Sequence, residues 1–148
     1  MIYKIKPGNH RSVWFPQVTF KRSICFTFTF LSKMYETEHT NKVYGLIDGI
    51  FPHHNSIRVG FRKIGDNIEL SAIVYNDGVR TITPLKLIKP FYVTTASIVK
   101  HRNTYEIILD LERFVFKRTS RFNLFSFRLF PYWGGVPTAN SLIKIEIR

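Results

Sequence analysis

The chain predicts an all-β antiparallel sandwich, on three observations. Apolar and polar residues alternate through most of its 148 residues, which is the period-two signature of half-buried strands. Turn residues recur between these stretches at strand-like intervals, and no segment sustains the i, i+3, i+4 apolar spacing of a helix. The 14 Phe and 7 Tyr supply a core without disulfides, since each buried ring removes on the order of 150–250 Å² from water. The length is that of one domain spanning 1–148.

Residues 2–6 alternate as a first strand, and Pro7-Gly8 opens a loop-like crossing over 7–16. A second strand is expected at 17–22. In 24–30, Ile24, Phe26, Phe28 and Phe30 share one face and Cys25, Thr27 and Thr29 the other. The only cysteine, Cys25, is expected to be a small buried hydrophobe rather than a reactive thiol. The polar stretch 32–42 reads as an exposed loop, followed by a strand over 43–50. Ile57, Val59 and Phe61 then alternate with Ser56, Arg58, Gly60 and Arg62. Ile68, Leu70, Ala72 and Val74 alternate with Glu69, Ser71, Ile73 and Tyr75. Gly65-Asp66 between these two runs suits a two-residue hairpin loop. That register opposes Phe61 with Leu70, Val59 with Ala72 and Ile57 with Val74, and sets Arg62 across from Glu69.

Asn76-Asp77-Gly78 marks the next turn. A two- and a three-residue loop there would bury opposite faces of 81–83, so two registers stay open. Further strands are expected at 80–88, 91–99, 104–111, 113–118 and 124–131, and Ile143, Ile145 and Ile147 alternate in a last one. Pro84, Pro90, Pro131 and Pro137 belong at edges or turns, because proline cannot donate to a central ladder. The first and last strands are expected side by side in one sheet.

Charge narrows the function. With 22 basic and 10 acidic residues the net charge is +12, which attracts polyanions whatever the fold. Arg113, Lys117, Arg118, Arg121 and Arg128 crowd one stretch, interleaved with Phe114, Phe116, Phe122, Phe125 and Phe127. The rings are expected to point inward as core and the cations to form a docking surface. Stacking of single-stranded nucleic acid is the other use of such a pattern, but no RNP-like, KH-like or finger signature accompanies it. Tyr132 and Trp133, before Gly134-Gly135, are a candidate sugar-stacking pair, against the plainer reading of a loop that caps the sandwich.

No catalytic motif stands out. His53-His54 lacks further ligands at metal spacing. Glu36 and Glu38 form the close acidic pair, but in a polar loop rather than on an apolar strand that would raise one pKa for acid catalysis. His54, Asn55, Arg58 and Tyr132 are residue types that a polysaccharide lyase needs, without a motif to join them. The expectation is therefore a non-enzymatic module with no catalytic, cofactor or metal site. Residues 1–6 lack the apolar core of a signal peptide, and no apolar run approaches the ~18 residues of a spanning helix. The sequence thus predicts no membrane partner and assembly in a bacterial cytoplasm.

Three stretches together resemble a known group: 53–62 (HHNSIRVGFR), 72–80 (AIVYNDGVR) and 129–135 (LFPYWGG). They are similar to jelly-roll, concanavalin-like lectin/glucanase β-sandwich proteins of Bacteroidetes and their phages, including auxiliary capsid proteins of crAss-like phages. The resemblance implies jelly-roll topology. It also implies a virion structural protein of a tailed bacteriophage, an auxiliary or decoration protein docking on the capsid. Its partners would be other virion proteins, the major capsid protein first, with acidic glycan or nucleic acid as further polyanions. The alternative is a lectin-like module for anionic glycans using Tyr132, Trp133 and nearby arginines, and a lyase-like enzyme comes third. The Gln-x-His and Arg-rich strand signatures of lyases on this fold are absent, and Gln17 is the only glutamine.

Overall fold

Alternation carries over into strands nearly everywhere. The computed structural model describes residues 1–12, 16–31, 39–134 and 143–148, and no helix occurs among them. The strands are β1 (Ile2–Ile5), β2 (Gln17–Thr19), β3 (Ser23–Phe30), β4 (Asn41–Asp48), β5 (Ser56–Ile64) and β6 (Asn67–Asn76). They continue as β7 (Val79–Ile88), β8 (Thr94–Lys100), β9 (Thr104–Leu109), β10 (Glu112–Lys117), β11 (Ser126–Leu129) and β12 (Ile143–Ile147). One antiparallel sheet runs β1-β12-β3-β8-β9-β10 and the other β2-β11-β4-β5-β6-β7. β1 lies beside β12, as expected.

The two sheets close on the predicted apolar faces. Phe26, Phe28 and Phe30 of β3 meet Tyr44, Phe61 and Leu70 from the second sheet in one cluster. Phe30 and Phe61 have ring centroids 4.8 Å apart, and Phe26 and Tyr44 4.9 Å. Full burial of such side chains is worth ~1.5–3 kcal/mol each. The hairpin at Gly65-Asp66 has the predicted register, and Arg62 Nε lies 2.7 Å from Glu69 Oε1.

The ambiguous turn is a two-residue loop, with Asn76 opposite Val79. Asp77 (φ 51°) and Gly78 (φ 84°) are both left-handed, as a type I′ hairpin requires. This places Thr81 and Thr83 toward the core, and Arg80 and Ile82 on the outward face beside Tyr75 and Ile73.

Several expectations shift. Cys25 is exposed, because the outward face of β3 is wet; its thiol lies 3.4 Å from Ser97 Oγ. The strand expected at 91–99 begins only at Thr94, after Phe91 turns with φ 65°. Phe114 and Phe116 pack against the core as predicted. Phe122, Phe125 and Phe127 instead form an edge-to-face ladder with spacings of 4.9 and 5.6 Å, and Phe127 pairs with Ile47 on the outward face. Glu36, Glu38, Gly135 and Pro137 lie outside the described residues.

One polar cluster bridges the sheets. Asp48 of β4 is buried between Lys100 Nζ at 3.1 Å and Arg118 Nε at 2.6 Å, and accepts a 2.7 Å hydrogen bond from the Tyr105 hydroxyl. Lys100 also donates to Ser126 Oγ, and Arg118 donates to the carbonyls of His101, Arg102 and Phe122. Buried charges persist only when paired and hydrogen-bonded in this way.

Candidate functional site

The basic stretch does not form one surface. Arg118 is 3% exposed and belongs to the Asp48 cluster. The reason is local: β10 ends at Lys117, and the chain turns inward at the next residue. Arg113 is exposed but holds Glu106 through bonds of 2.7 and 2.9 Å. Lys117 and Arg121 are exposed near that edge. Arg128 is half-buried in β11 on the side opposite Phe127, with its Nε buried and unpartnered. Trp133 is 5% exposed, with its ring edge-on to Phe61, so it cannot serve as an open stacking platform.

Tyr132 is different, because it lines a hollow on the outward face of the second sheet. Residues 10–12, 131–133 and 41–42 form a small extension there. Tyr132 and Lys42 exchange two backbone hydrogen bonds of 2.9 Å, and Tyr132 also bridges to Arg11. His10 stacks on the Tyr132 ring at 5.8 Å, and its Nδ1 donates to Trp133 O at 3.0 Å. Successive residues of an extended chain point to opposite sides. Trp133 therefore enters the core while Tyr132 faces the hollow.

Arg58 forms the floor. Its outward position follows from the alternation of β5, and two glycines make room around it. Gly45 lies directly across from Arg58. A Cβ at Gly45 would sit 2.6 Å from Ile57 O and 2.7 Å from Arg58 Cγ. A Cβ at Gly60 would meet Ser71 Oγ at 2.7 Å. Arg58 Nη2 donates to Pro52 O, and the guanidinium lies 5.3 Å from the Tyr75 ring centroid. Arg58 Nε and Ser71 Oγ are buried without a hydrogen-bond partner. Such groups are uncommon in folded proteins and call for an explanation.

Around Arg58 stand Lys42, with Nζ 4.5 Å from the Tyr132 ring centroid, and His53, edge-on to Tyr75 at 5.2 Å. No carboxylate lines this hollow among the described residues. A second hollow beyond Lys42 is lined by Arg62, Glu69 and Arg80, and its one carboxylate is committed to Arg62. Burial, then Arg58 and Arg80, lowers the Lys42 ammonium to about 8. Burial lowers the Arg58 guanidinium to about 10, partly countered by Tyr75 and Tyr132. Burial, then Arg58, Lys42 and Arg80, holds the His53 imidazole below its usual range. The arrangement suits an anion, with imidazole, phenol and amine groups at hand for proton transfer.

Of the residue types expected of a lyase, Arg58 and Tyr132 reach the hollow. His54 and Asn55 do not. Asn55 Oδ1 accepts from Asp77 N and Thr119 Oγ1, and His54 lies 3.9 Å from Asp77. The neighbour His53 faces the hollow instead. Sequence reasoning missed Lys42 and Arg80. Among the described residues no cluster of three His, Cys, Asp or Glu side chains has the makings of a metal site.

No protein-family model matches the chain, and no curated protein matches it by sequence. Solved structures do match its fold. An alginate lyase from Pseudomonas aeruginosa superposes with a TM-score of 0.60 at 9% identity over 87% of this chain and 66% of its own. Alginate lyase A1-II′, of polysaccharide lyase family 7, matches with TM-score 0.60 at 10% identity over 85% of this chain and 60% of its own. A glycoside hydrolase family 16 enzyme of a Bacteroides ovatus mixed-linkage glucan locus matches with TM-score 0.55 at 10% identity over 99% of this chain and 77% of its own. The chain thus spans two thirds or less of these lyases' length. At such identities the likeness shows the fold: a jelly-roll, concanavalin-like sandwich. It also corrects the expectation of a non-enzymatic module, since the fold is shared with enzymes of two reaction classes, and nothing in these matches links the chain to a phage particle.

Proposed function

We propose that the chain binds an acidic polysaccharide on the outward face of β4–β7 and cleaves it by β-elimination. The observation that carries this is Lys42 and Arg58 in a hollow with no carboxylate among the described residues, with Arg80 in the adjoining hollow that Lys42 also lines. Elimination from a uronate needs a cation to neutralise the carboxylate and acidify the neighbouring C–H. It also needs a base for that proton and a donor for the departing glycosidic oxygen. Arg58 and Arg80 supply the charge, while His53, Tyr132 and the Lys42 amine are the candidate proton carriers. Hydrolysis fits poorly. A retaining glycosidase needs two carboxyl groups roughly 5 Å apart, and Glu69, bound to Arg62, is the outward-facing carboxylate of β4–β7. The alginate lyases of this fold act on a uronate polymer, which agrees with the charge of the hollow.

The test is incubation with alginate, polygalacturonate and a neutral β-glucan, following the ultraviolet absorbance of unsaturated chain ends and binding by calorimetry across a salt series. Salt-sensitive binding and new unsaturated ends with a polyuronate, and neither with the glucan, are expected. Binding without cleavage would leave the lectin-like reading. No affinity for any polyuronate would overturn both.

The capsid-decoration role has the net charge of +12 in its favour. It needs a basic docking face, and the stretch expected to form one has Arg118 buried and Arg113 paired. Saturable binding to purified capsids, with no polyuronate affinity, would restore it.

A further inference from the structure

Among the described residues, Lys42 is the one that lines both hollows. A bulge in β4 puts it there. Lys42 opposes Gly60 while Tyr44 opposes Val59, so Val43 is the extra residue. Bulges re-aim side chains in this way. We propose that Lys42 is the catalytic base of the cleft: its free amine takes the hydrogen α to the uronate carboxylate while Arg58 holds that carboxylate. This rests on the elimination chemistry proposed above.

The surroundings favour a free amine. Facing Lys42 are Arg58 of β5, Arg80 of β7, His53 from the loop before β5, and Tyr132. Arg62, Glu69 and His39 line the second hollow with it, and Arg11 the first. Among the described residues the only carboxylate in that company, Glu69, is spent on Arg62 at 2.7 Å. Among the described residues Lys42 forms no ion pair, and Tyr132 offers it a ring face rather than an anion. Burial and like charge bring the ammonium to about 8, so near neutral pH about a tenth is free amine, and above about pH 8 most is. An amine titrating near the working pH is better matched to proton abstraction than a weaker base.

The step balances. The Lys42 lone pair takes the C5 proton, and the C5–H electrons form C4=C5. The C4–O4 bond breaks and O4 leaves with its pair, taking a proton from the Tyr132 hydroxyl. The Lys42 ammonium then returns a proton to Tyr132, so nothing is oxidised or reduced.

Lys42→Arg keeps the positive charge but removes the titratable amine. It should cut kcat on alginate by roughly 100-fold or more, the usual worth of a general base, and leave tetrauronate affinity nearly unchanged. Wild-type kcat/KM should rise with pH through a limb near 8, and the variant should lose it. Lys42→Gln should lose both affinity and rate. A readout independent of turnover is labelling with limiting acetic anhydride at pH 8, mapped by mass spectrometry. Lys42 should react ahead of the exposed lysines, and bound alginate should protect it. Wild-type kcat in a folded Lys42→Arg variant, or a limb below 6.5 that marks His53, would overturn this inference and leave lyase activity standing. Labelling of Lys42 no faster than its neighbours would overturn the free amine. Absence of unsaturated ends from the wild type on every polyuronate would overturn the parent reading and this one with it.

Discussion

Gly45→Ala adds one methyl group to β4, removes no chemical group of the cleft, and should disable it. The added Cβ would sit 2.6 Å from Ile57 O and 2.7 Å from Arg58 Cγ, well inside ordinary contact. The backbone oxygen belongs to the β4–β5 ladder and cannot swing away, so β4 must separate from β5 or Arg58 must leave its bed against Pro52 and Tyr75. Overpacking of this kind costs about 1–3 kcal/mol, against a typical total of about 5–15 kcal/mol for a domain. At roughly 2–4 °C per kcal/mol for a chain of this size, Tm should fall by about 2–12 °C. Displacing Arg58 also removes a charge-assisted hydrogen bond to a bound carboxylate, worth about 1.5–3 kcal/mol. Polyuronate affinity should therefore drop about 10–150-fold. Thermal melting and calorimetric titration on the same preparation measure both effects. A Gly45→Ala protein with wild-type Tm and wild-type affinity would refute the packing argument and the role given to Arg58.

Four more expectations can be checked. Asp48→Ala should cost about 3–5 kcal/mol in urea unfolding, because it leaves Lys100 and Arg118 buried without their carboxylate; a loss under about 1 kcal/mol, the worth of an exposed pair, would mean the cluster is wetter than described. Phe61→Ala should cost about 3–5 kcal/mol, since the ring is fully buried against Phe30 and Trp133. Hydrogen bonds from Arg113, and then from His101, hold the Glu106 carboxyl below its ordinary 4.5, outweighing desolvation. Its contribution is therefore present above about pH 4.5 and lost as pH falls through the lower folded value, so the stability gap between wild type and Glu106→Gln should close in acid. Finally, a bound uronate favours the Lys42 ammonium, so binding near pH 8 should take up protons, seen as a calorimetric heat that varies with buffer ionisation enthalpy; release, or no proton exchange, would place the carboxylate elsewhere.

Much of the fold was legible because alternation reports which face is dry. It put Phe61, Leu70 and Val74 inside and Arg58 and Tyr75 outside, and the Gly65-Asp66 loop fixed their register. It failed where the backbone departs from period two. Lys42, which matters most to the cleft, falls in the polar stretch 32–42 that reads as a loop, but β4 begins at Asn41 and a bulge at Lys42/Tyr44 sets its phase. Arg118 follows Lys117 in sequence, but the strand has ended and the side chain turns in to Asp48. Tyr132 and Trp133 could not act as a stacking pair, because neighbours on extended chain face opposite ways, and Trp133 caps the core as the plainer reading has it. Asp48 gave no signal of its own, since its partners lie 52, 57 and 70 residues on, at Lys100, Tyr105 and Arg118.

The net charge of +12 is the feature that both functional readings share, and the way it is distributed separates them. Five of the described carboxylates, Glu69, Glu106, Asp110, Glu112 and Glu146, are taken by Arg62, Arg113, Lys86 and Arg148 in partly exposed pairs, and Asp48 by Lys100 and Arg118 inside. What remains is uneven. Lys117 and Arg121 stand near a sheet edge in open solvent, where salt screens charges beyond about 8–10 Å. Lys42, Arg58 and Arg80 act together on one face over low-dielectric walls, which concentrates their field. Burying a cation beside others costs stability, as the Lys42 ammonium records, lowered by burial first and then by Arg58 and Arg80. An anion in the hollow offsets that cost, and it also gives the buried Arg58 Nε and Ser71 Oγ a reason to lie beneath it. A capsid lattice meeting the edge cations would leave both features unexplained, so the location of the charge, more than its sum, favours the acidic polysaccharide.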